Sequence, residues 1–295
     1  MYELIQAGEN TWYMDCPTKV GLVRTASGHG VLIDGGSDKD AAKKVLRHME
    51  ALGLSLDAVY CTHAHADHIG GCRHLQNSTG CKIYVPEDEL AYPAQPILEP
   101  AMLYGGRPPK VLCNKFLMAP SFEAEALTAD VLPEGFRMEL VGGHCAAMAL
   151  LQTPDGVWFA GDAVASEETL QKYPVSYLMD VDGFLAALDK VETLTGTLFV
   201  PAHAPASGDI TPLAEVNRRN TLELCAMLKG ICAAPSTMED ILKAVFDRLG
   251  HTLNWIQYVL VGCTLRSYLA CLMDKGELVT DVADNRLLWK LPEEA

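Results

Sequence analysis

Apolar and polar positions change period several times along the chain, and the changes mark its elements. Over the first third, short apolar runs read as strands: TWYMD (11–15), KVGLVRT (19–25) and GHGVLIDGG (28–36), the last closed by Gly35-Gly36. Ala41, Val45, Leu46 and Met49 then fall at helical spacing, which predicts a helix over about 38–52. LDAVYCTH (56–63) is another buried strand, HIGGCRHLQNSTG (68–80) a second helix and KIYVP (82–86) the next strand. Strands and helices that alternate in this way are expected where helices cover a sheet.

Residues 85–121 break the pattern with seven prolines and a Gly-Gly pair. A connection this long inside a compact domain is usually functional or mobile. It reads as a partly helical insertion, either one wall of a pocket or a surface excursion. Strands resume with RMELVGGH (137–144), CAAMALLQT (145–153), VWFAGDAV (157–164) and TLFVPAH (197–203), with TPDG (153–156) as a turn between two of them.

After PAHAP the character changes. ITPLAEVNRRNTLELCAMLKGI (210–231) is a helix with Pro212 near its start. Ser236 and Glu239 form an S-x-x-E capping box before ILKAVFDRLG. Leu265, Tyr268, Leu269 and Leu272 mark one face of a further helix stopped by Gly276. ELVTDVADNRLLWKLP reads as a hairpin turning near Ala283-Asp284-Asn285. Helices followed by a hairpin look like a winged-helix unit, so the expected division is 1–212 and 213–295.

Composition narrows the class. A chain of 295 residues, 49% hydrophobic, suits one large domain with a small appendage. No run reaches 18 apolar residues, so no membrane span is expected. The N-terminal MYELIQAGENTWYMD lacks the basic and apolar regions of a secretory signal, and the expected location is the cytoplasm. Ten cysteines without a C-x-x-C pair read as reduced, mostly buried thiols. The net charge of −15 divides into −13 over 1–212 (14 Lys+Arg, 27 Asp+Glu) and −2 over 213–295 (9 and 11). Such a field repels phosphate backbones, so nucleic acid is not the favoured partner. Arg107, Lys110 and Lys115 in the proline-rich stretch are the candidates for a local anion site.

The candidate chemistry lies in YCTHAHADHIGGC (60–72). His63, His65, Asp67 and His68 crowd into six residues of a chain with nine histidines. In an extended segment residues two apart point to one side, so His63 and His65 can reach one metal. Asp67 and His68 lie past the strand end and can face a second ion beside it. Imidazole favours zinc, iron and other borderline ions, and carboxylate balances the charge. Gly70-Gly71 would let the chain pack closely there. Further candidates stand at later strand ends: His144 after Gly142-Gly143, Asp162 after Gly161 and His203 after LFVPA. Loops at strand ends are where catalytic groups collect on a rigid sheet. His29, His48, His74 and His251 are expected outside the site.

H-x-H-x-D-H, a glycine-preceded His, a GD and a final strand-end His resemble the metallo-β-lactamase superfamily over about residues 1–210. The resemblance implies an α/β fold, an αββα sandwich of two mixed sheets with helices outside, here followed by the small winged-helix-like helical unit. Carried over by position, it implies His63, His65 and His144 as ligands of a first metal. Asp67, His68 and His203 would hold a second, with Asp162 bridging. Asp34, in LIDGG, matches a strand-end aspartate of the superfamily and is expected to orient a ligand. The oxygen-reducing di-iron members usually carry Glu where this chain has His65. The β-lactamases with a cysteine ligand replace the residue that here is Asp162. Two divalent metal ions are therefore expected, zinc first, with iron or manganese suited to the same donors.

A metal pair lowers the pKa of a held water and sets a hydroxide beside a carbonyl or phosphoryl centre. Asp67 is the candidate to orient that nucleophile and take its proton. The architecture resembles the glyoxalase II-like group and a related endoribonuclease group; because the acidic metal domain weighs against a polyanion, the expectation is a binuclear metallo-hydrolase acting on a small-molecule thioester, ester or lactone. The alternatives are an endoribonuclease or phosphodiesterase, a mono-iron sulfur dioxygenase, and a non-catalytic winged-helix regulator that senses a ligand. The regulator needs a basic recognition helix, yet CTLRSYLACLMDKG carries only Arg266 and Lys275. A helical cap that packs on the metal domain, bordering the active site or a homodimer contact, suits the apolar LNWIQYVLVG better. The sequence assigns no substrate-binding residue.

Overall fold

The computed structural model describes residues 2–293. Seven strands form the first sheet in chain order: β1 (Glu3–Gln6), β2 (Thr11–Asp15), β3 (Val20–Arg24), β4 (Gly30–Ile33), β5 (Leu56–Tyr60), β6 (Lys82–Val85) and β7 (Glu125–Ala126). The first four pair antiparallel, and β4 to β7 run parallel. Parallel pairing needs crossovers, which α1 (Lys39–Ala51), then α2 (Ala66–Ile69) with α3 (Cys72–Thr79), and finally the stretch 86–124 supply. The helix expected over 38–52 is α1, capped by the Asp38 carboxylate, which accepts from the Asp40 and Ala41 amides. The single helix expected over 68–80 is instead two, broken at Gly70-Gly71. A Cβ at Gly70 would sit 2.2 Å from the Ser37 carbonyl oxygen, and one at Gly71 2.2 Å from that of Gly35. The expected close approach is therefore real, and it interrupts the helix.

The second sheet has the order β11-β10-β9-β8, built from β8 (Arg137–Val141), β9 (Met148–Gln152), β10 (Val157–Ala165) and β11 (Leu198–His203). The inner faces meet: Tyr13, Val23, Val31 and Ile33 from the first sheet pack with Ala149, Leu151, Phe159 and Val200 from the second. The outer face of the first sheet, with Met14, Leu22 and Leu32, buries Ala41, Val45 and Met49 of α1. Val31, Leu32 and Ile33 thus alternate between two apolar layers, which is why β4 reads as a continuous apolar run.

The outer face of the second sheet is covered by α7 (Val181–Glu192) and by the C-terminal helices α8 (Thr211–Ile231), α9 (Met238–Leu249) and α10 (Trp255–Asp274). One apolar core joins Leu150 and Ala160 of the sheet to Leu224, Phe246, Leu265 and Leu269 of these helices, across position 212. Leu265, Tyr268, Leu269 and Leu272 are buried, as their spacing predicts. The capping box at the start of α9 lies one residue later than expected: Thr237 accepts from the Asp240 amide, and the Asp240 carboxylate accepts from the Thr237 amide. A hairpin, β12 (Val279–Ala283) and β13 (Arg286–Lys290), follows, with Asp284 and Asn285 both at positive φ in its turn. By length and composition α10 is apolar enough to cross a membrane, a test that a core helix also meets, and half of its apolar window is buried inside the protein.

The insertion contains two short helices, α4 (Ala91–Ala94) and α5 (Leu98–Tyr104); a further short helix, α6 (Glu167–Lys172), follows β10. Leu103, Leu112 and Leu117 of the insertion pack with Val259 of α10. Lys115 pairs with Asp38 at 3.1 Å rather than standing in an open anion site.

Candidate metal centre

The expected ligands come together at one edge of the sandwich. β5 ends at Tyr60, and Cys61 to His65 form the loop into α2. His63 and His68 are fully buried, and His65 and Asp67 half-buried. From the second sheet, His144 follows β8, Asp162 lies within β10 and His203 ends β11. The β10–β11 ladder shifts register on both sides of Gly161, a local irregularity that takes Asp162 out of the regular strand alternation. Gly143 explains the glycine before His144. Its φ is +97°, and a Cβ there would lie 2.1 Å from the Phe184 amide nitrogen at the start of α7.

Three imidazole nitrogens converge first. His65 Nδ1 lies 3.0 Å from His63 Nε2 and 2.9 Å from His144 Nε2. Asp67, His68 and His203 form a second group, with His203 Nε2 3.2 Å and His68 Nε2 3.8 Å from Asp67 Oδ2. Asp162 stands between the groups. Its Oδ2 lies 3.4 Å from His144 Nε2, and its Oδ1 lies 3.1 Å from His68 Nε2 and 3.4 Å from His203 Nε2.

The far side of each ring sets its orientation. His68 Nδ1 faces Asp34 Oδ2 at 2.8 Å, His144 Nδ1 the Tyr177 carbonyl at 3.2 Å, and His203 Nδ1 the Pro17 carbonyl at 2.9 Å. With the proton on Nδ1, each ring presents a bare Nε2 to the centre, the usual way a ligating histidine is oriented. Asp34, left-handed at φ 65°, also accepts from the Thr62 amide and hydroxyl. Asp67 Oδ2 accepts from the Thr18 hydroxyl at 2.8 Å.

The two groups differ in charge. Burial, reinforced by neighbouring imidazoles, pushes His63 well below the usual histidine range and His65 down to about 3. Burial also lowers His144, against the opposing pull of Asp162. The first group is therefore neutral, as nitrogen ligands must be. At His68 and His203 burial works the same way, but nearby carboxylates, Asp162 foremost, outweigh it. His68 rises well above the usual range and His203 to about 10. Burial would raise Asp67 and Asp162, but His68 and His203 hold both carboxyls below the ordinary carboxylate range. Without a metal, protonated His68 and His203 balance the carboxylates; once those two rings lose their protons, a three-nitrogen set beside a set of nitrogens and carboxylates fits two divalent ions of the borderline class.

Residues 13–203 match the sequence profile of the metallo-beta-lactamase superfamily. The chain belongs to that superfamily. A hydroxyacylglutathione hydrolase from Methylobacillus flagellatus is 34% identical over 71 residues, 24% of this chain and 27% of that protein. A metal-dependent hydrolase from Thermodesulfovibrio yellowstonii is 35% identical over 82 residues, 28% of this chain and 29% of that protein. The chain thus aligns with little more than a quarter of the length of these relatives. A crystal structure of a beta-lactamase domain protein from Burkholderia ambifaria superposes with a TM-score of 0.75 at 18% identity, covering 98% of this chain and 94% of that one. The αββα fold expected from the sequence is therefore the observed one, and superfamily members usually bind divalent metals at such a cluster.

Several neighbours of the cluster were not legible in the sequence. Thr18, Thr62 and the carbonyls of Pro17 and Tyr177 hold the expected ligands and Asp34 in place. The Tyr177 ring stands edge-on to His65 at 5.3 Å and to His144 at 5.7 Å between centroids. His251, expected outside the site, lines a cleft that opens beside Asp162 and His203. His29 and His48 do lie elsewhere, facing Asp57 and the Tyr2 carbonyl. The insertion does not line this cleft, whose walls come from residues 172–178 and from α9 and α10; Leu90, Pro93 and Ala94 of the insertion line a separate surface hollow with Arg73 and Gln76 of α3. The insertion lies behind the centre: the Glu89 carboxylate accepts from the Ala146 and Ala147 amides just after His144.

Proposed function

We propose that the protein is a binuclear metallo-hydrolase of small acyl compounds, with a thioester as the first choice and an ester or lactone next. The observation that carries this reading is Asp162, which turns one carboxylate oxygen to each of two adjacent ligand groups at the mouth of an apolar cleft. His63, His65 and His144 would hold one ion, Asp67, His68 and His203 the other, and Asp162 would bridge them. Zinc matches the nitrogen-rich donors best. When bound, such a pair supplies Lewis acidity and an activated water. Asp67, kept ionised and fixed by Thr18, accepts a hydrogen bond from the attacking water and aims it. Asp34 and the carbonyls of Pro17 and Tyr177 keep the imidazoles in register through the reaction. The similarity to hydroxyacylglutathione hydrolases over part of the chain favours a thioester.

The phosphodiesterase alternative would want cations along the cleft. Among the described residues lining it, Lys172 and His251 are the basic side chains outside the histidine cluster. The regulator alternative would want a basic exposed α10 face, whereas α10 carries only Arg266 among Lys and Arg and buries Leu265, Tyr268, Leu269 and Leu272 in the core. Unpaired thiols throughout suit a reducing compartment and support a cytoplasmic location. The experiment is metal analysis of protein purified without chelator, followed by a screen of thioesters, esters, lactones, phosphodiesters and short RNA. Cleavage of RNA in preference to every acyl compound would overturn the proposal.

A further inference from the structure

Beside Asp162, His144 and His203 lies a cleft of about 540 Å³, within the usual range of about 300–1,000 Å³ for small-molecule sites. Its walls carry Val164, Val175, Phe184, Phe246, Leu260 and Val261. The first three come from the catalytic sandwich and the last three from α9 and α10, so the C-terminal helices complete the cavity. Several polar side chains along the wall are already satisfied within the protein. Asn217 bonds both the amide and the carbonyl of Ala165, and also the Leu213 carbonyl. The Thr169 hydroxyl donates to the His203 carbonyl, and that of Ser176 to the Tyr173 carbonyl. At the helical end, Asn254 accepts from the Gln257 amide and donates to its side chain. What these groups leave for a ligand is mainly apolar surface, leading away from the carboxylate that stands between the two ligand groups.

We propose that this cleft takes the apolar acyl chain of the substrate, so that the compound hydrolysed is a thioester of a hydrophobic aliphatic acid. The proposal rests on the hydrolase reading above. The acyl carbon sits at the cluster and its tail runs between the 172–178 segment and α10. Water oxygen bonds to the acyl carbon, the C–S bond breaks, and the products are the free acid and a thiol that carries the second proton. The thiol portion leaves on the open side and is not held by this cavity.

The test uses the full-length, metal-loaded protein and a series of thioesters of one thiol, from acetyl to dodecanoyl, beside calorimetric titration of the matching free n-alkanoates. Burial of a methylene is worth about 0.8 kcal/mol, so kcat/KM should rise roughly fourfold per methylene until the cleft is full. Alkanoate Kd should fall by the same factor. Leu260→Trp, which fills the cleft, should flatten both gradients; Ile256→Trp serves if that variant does not fold. Thioester hydrolysis with no dependence on chain length overturns the inference and leaves the hydrolase reading intact. A rising alkanoate affinity with no thioester cleaved keeps the chain pocket but overturns the thioester as the compound hydrolysed. A gradient left unchanged in a folded cleft-filling variant also overturns the inference, because the chain then lies elsewhere.

Discussion

Asp34 Oδ2 lies 2.8 Å from His68 Nδ1, and both side chains are buried. The pair ties the end of one central strand, β4, to α2, the short helix that follows its neighbour, β5. Two donors from Thr62 complete the Asp34 carboxylate, so four polar groups are satisfied with no water. The result is a His68 ring that cannot rotate and an Nε2 that must face Asp162.

Asp34→Asn tests this relationship with little backbone disturbance, because asparagine tolerates the left-handed conformation at φ 65°. It removes one of the two acceptor oxygens and sets an amide N–H group against existing donors. Metal affinity should fall about 10–100-fold, read by competition with a chromogenic chelator. Unchanged affinity would mean that His68 is positioned by other contacts.

Asp162→Ala should lose both hydrolytic activity and at least one equivalent of metal, measured on dialysed protein. The carboxylate faces nitrogens from both groups, so no other residue can take its place. His74→Ala is the control: the ring contacts Ser78 on its own helix, α3, and should leave metal content and activity unaltered.

Protonation couples to the metal. In the metal-free protein, carboxylates raise His68 well above the ordinary histidine range and His203 to about 10. The native state then holds protons that the unfolded chain releases near pH 6.5. Stability from this source is complete below about pH 6.5 and is lost as pH rises through about 10. The melting temperature of the metal-free protein should therefore fall across that window. Because ligands bind metal only when deprotonated, loading at neutral pH should expel about two protons, from these two rings. Calorimetry in buffers of different ionisation heat counts them. A count near zero would contradict the charge state argued for the second group.

Much of this centre can be read from the chain because its chemistry sits at strand ends. His63, His65, Asp67 and His68 share one short loop and the helix it enters, and each later candidate ligand follows, lies within or ends a strand. The groups behind them do not announce themselves. Tyr177 and Pro17 act through backbone carbonyls, which every residue possesses, and Thr18 lies 49 positions from the Asp67 it serves. At the start of α9, Ser236 and Thr237 are both able to cap, and only geometry selects Thr237 with Asp240. His251 looked like a lone surface histidine because the cleft it lines exists only once α9 and α10 close over the second sheet.

Gly143→Ala should damage the His144 loop. The position combines φ +97° with a Cβ site 2.1 Å from the Phe184 amide nitrogen, so the chain must move. Strain and overpacking together should cost about 3 kcal/mol. Chemical denaturation gives the loss of stability, and metal content should decline with it as His144 shifts.

Glu89 offers the last test, and it separates charge from hydrogen bonding. Its carboxyl is buried, accepts from the Ala146 and Ala147 amides through Oε1, and leaves Oε2 without a partner among the described residues. Burial raises its pKa above the ordinary carboxylate value, against the lowering effect of those amides. A group so placed is needed for its acceptor oxygen and not for its charge. Glu89→Gln keeps that oxygen and should hold stability within about 1 kcal/mol of the parent. Glu89→Leu leaves two backbone N–H groups beside His144 without an acceptor. Leaving a buried donor unpaired costs about 1–3 kcal/mol, so the leucine variant should unfold at clearly lower denaturant. If glutamine destabilises as much as leucine, the negative charge itself is what this loop requires.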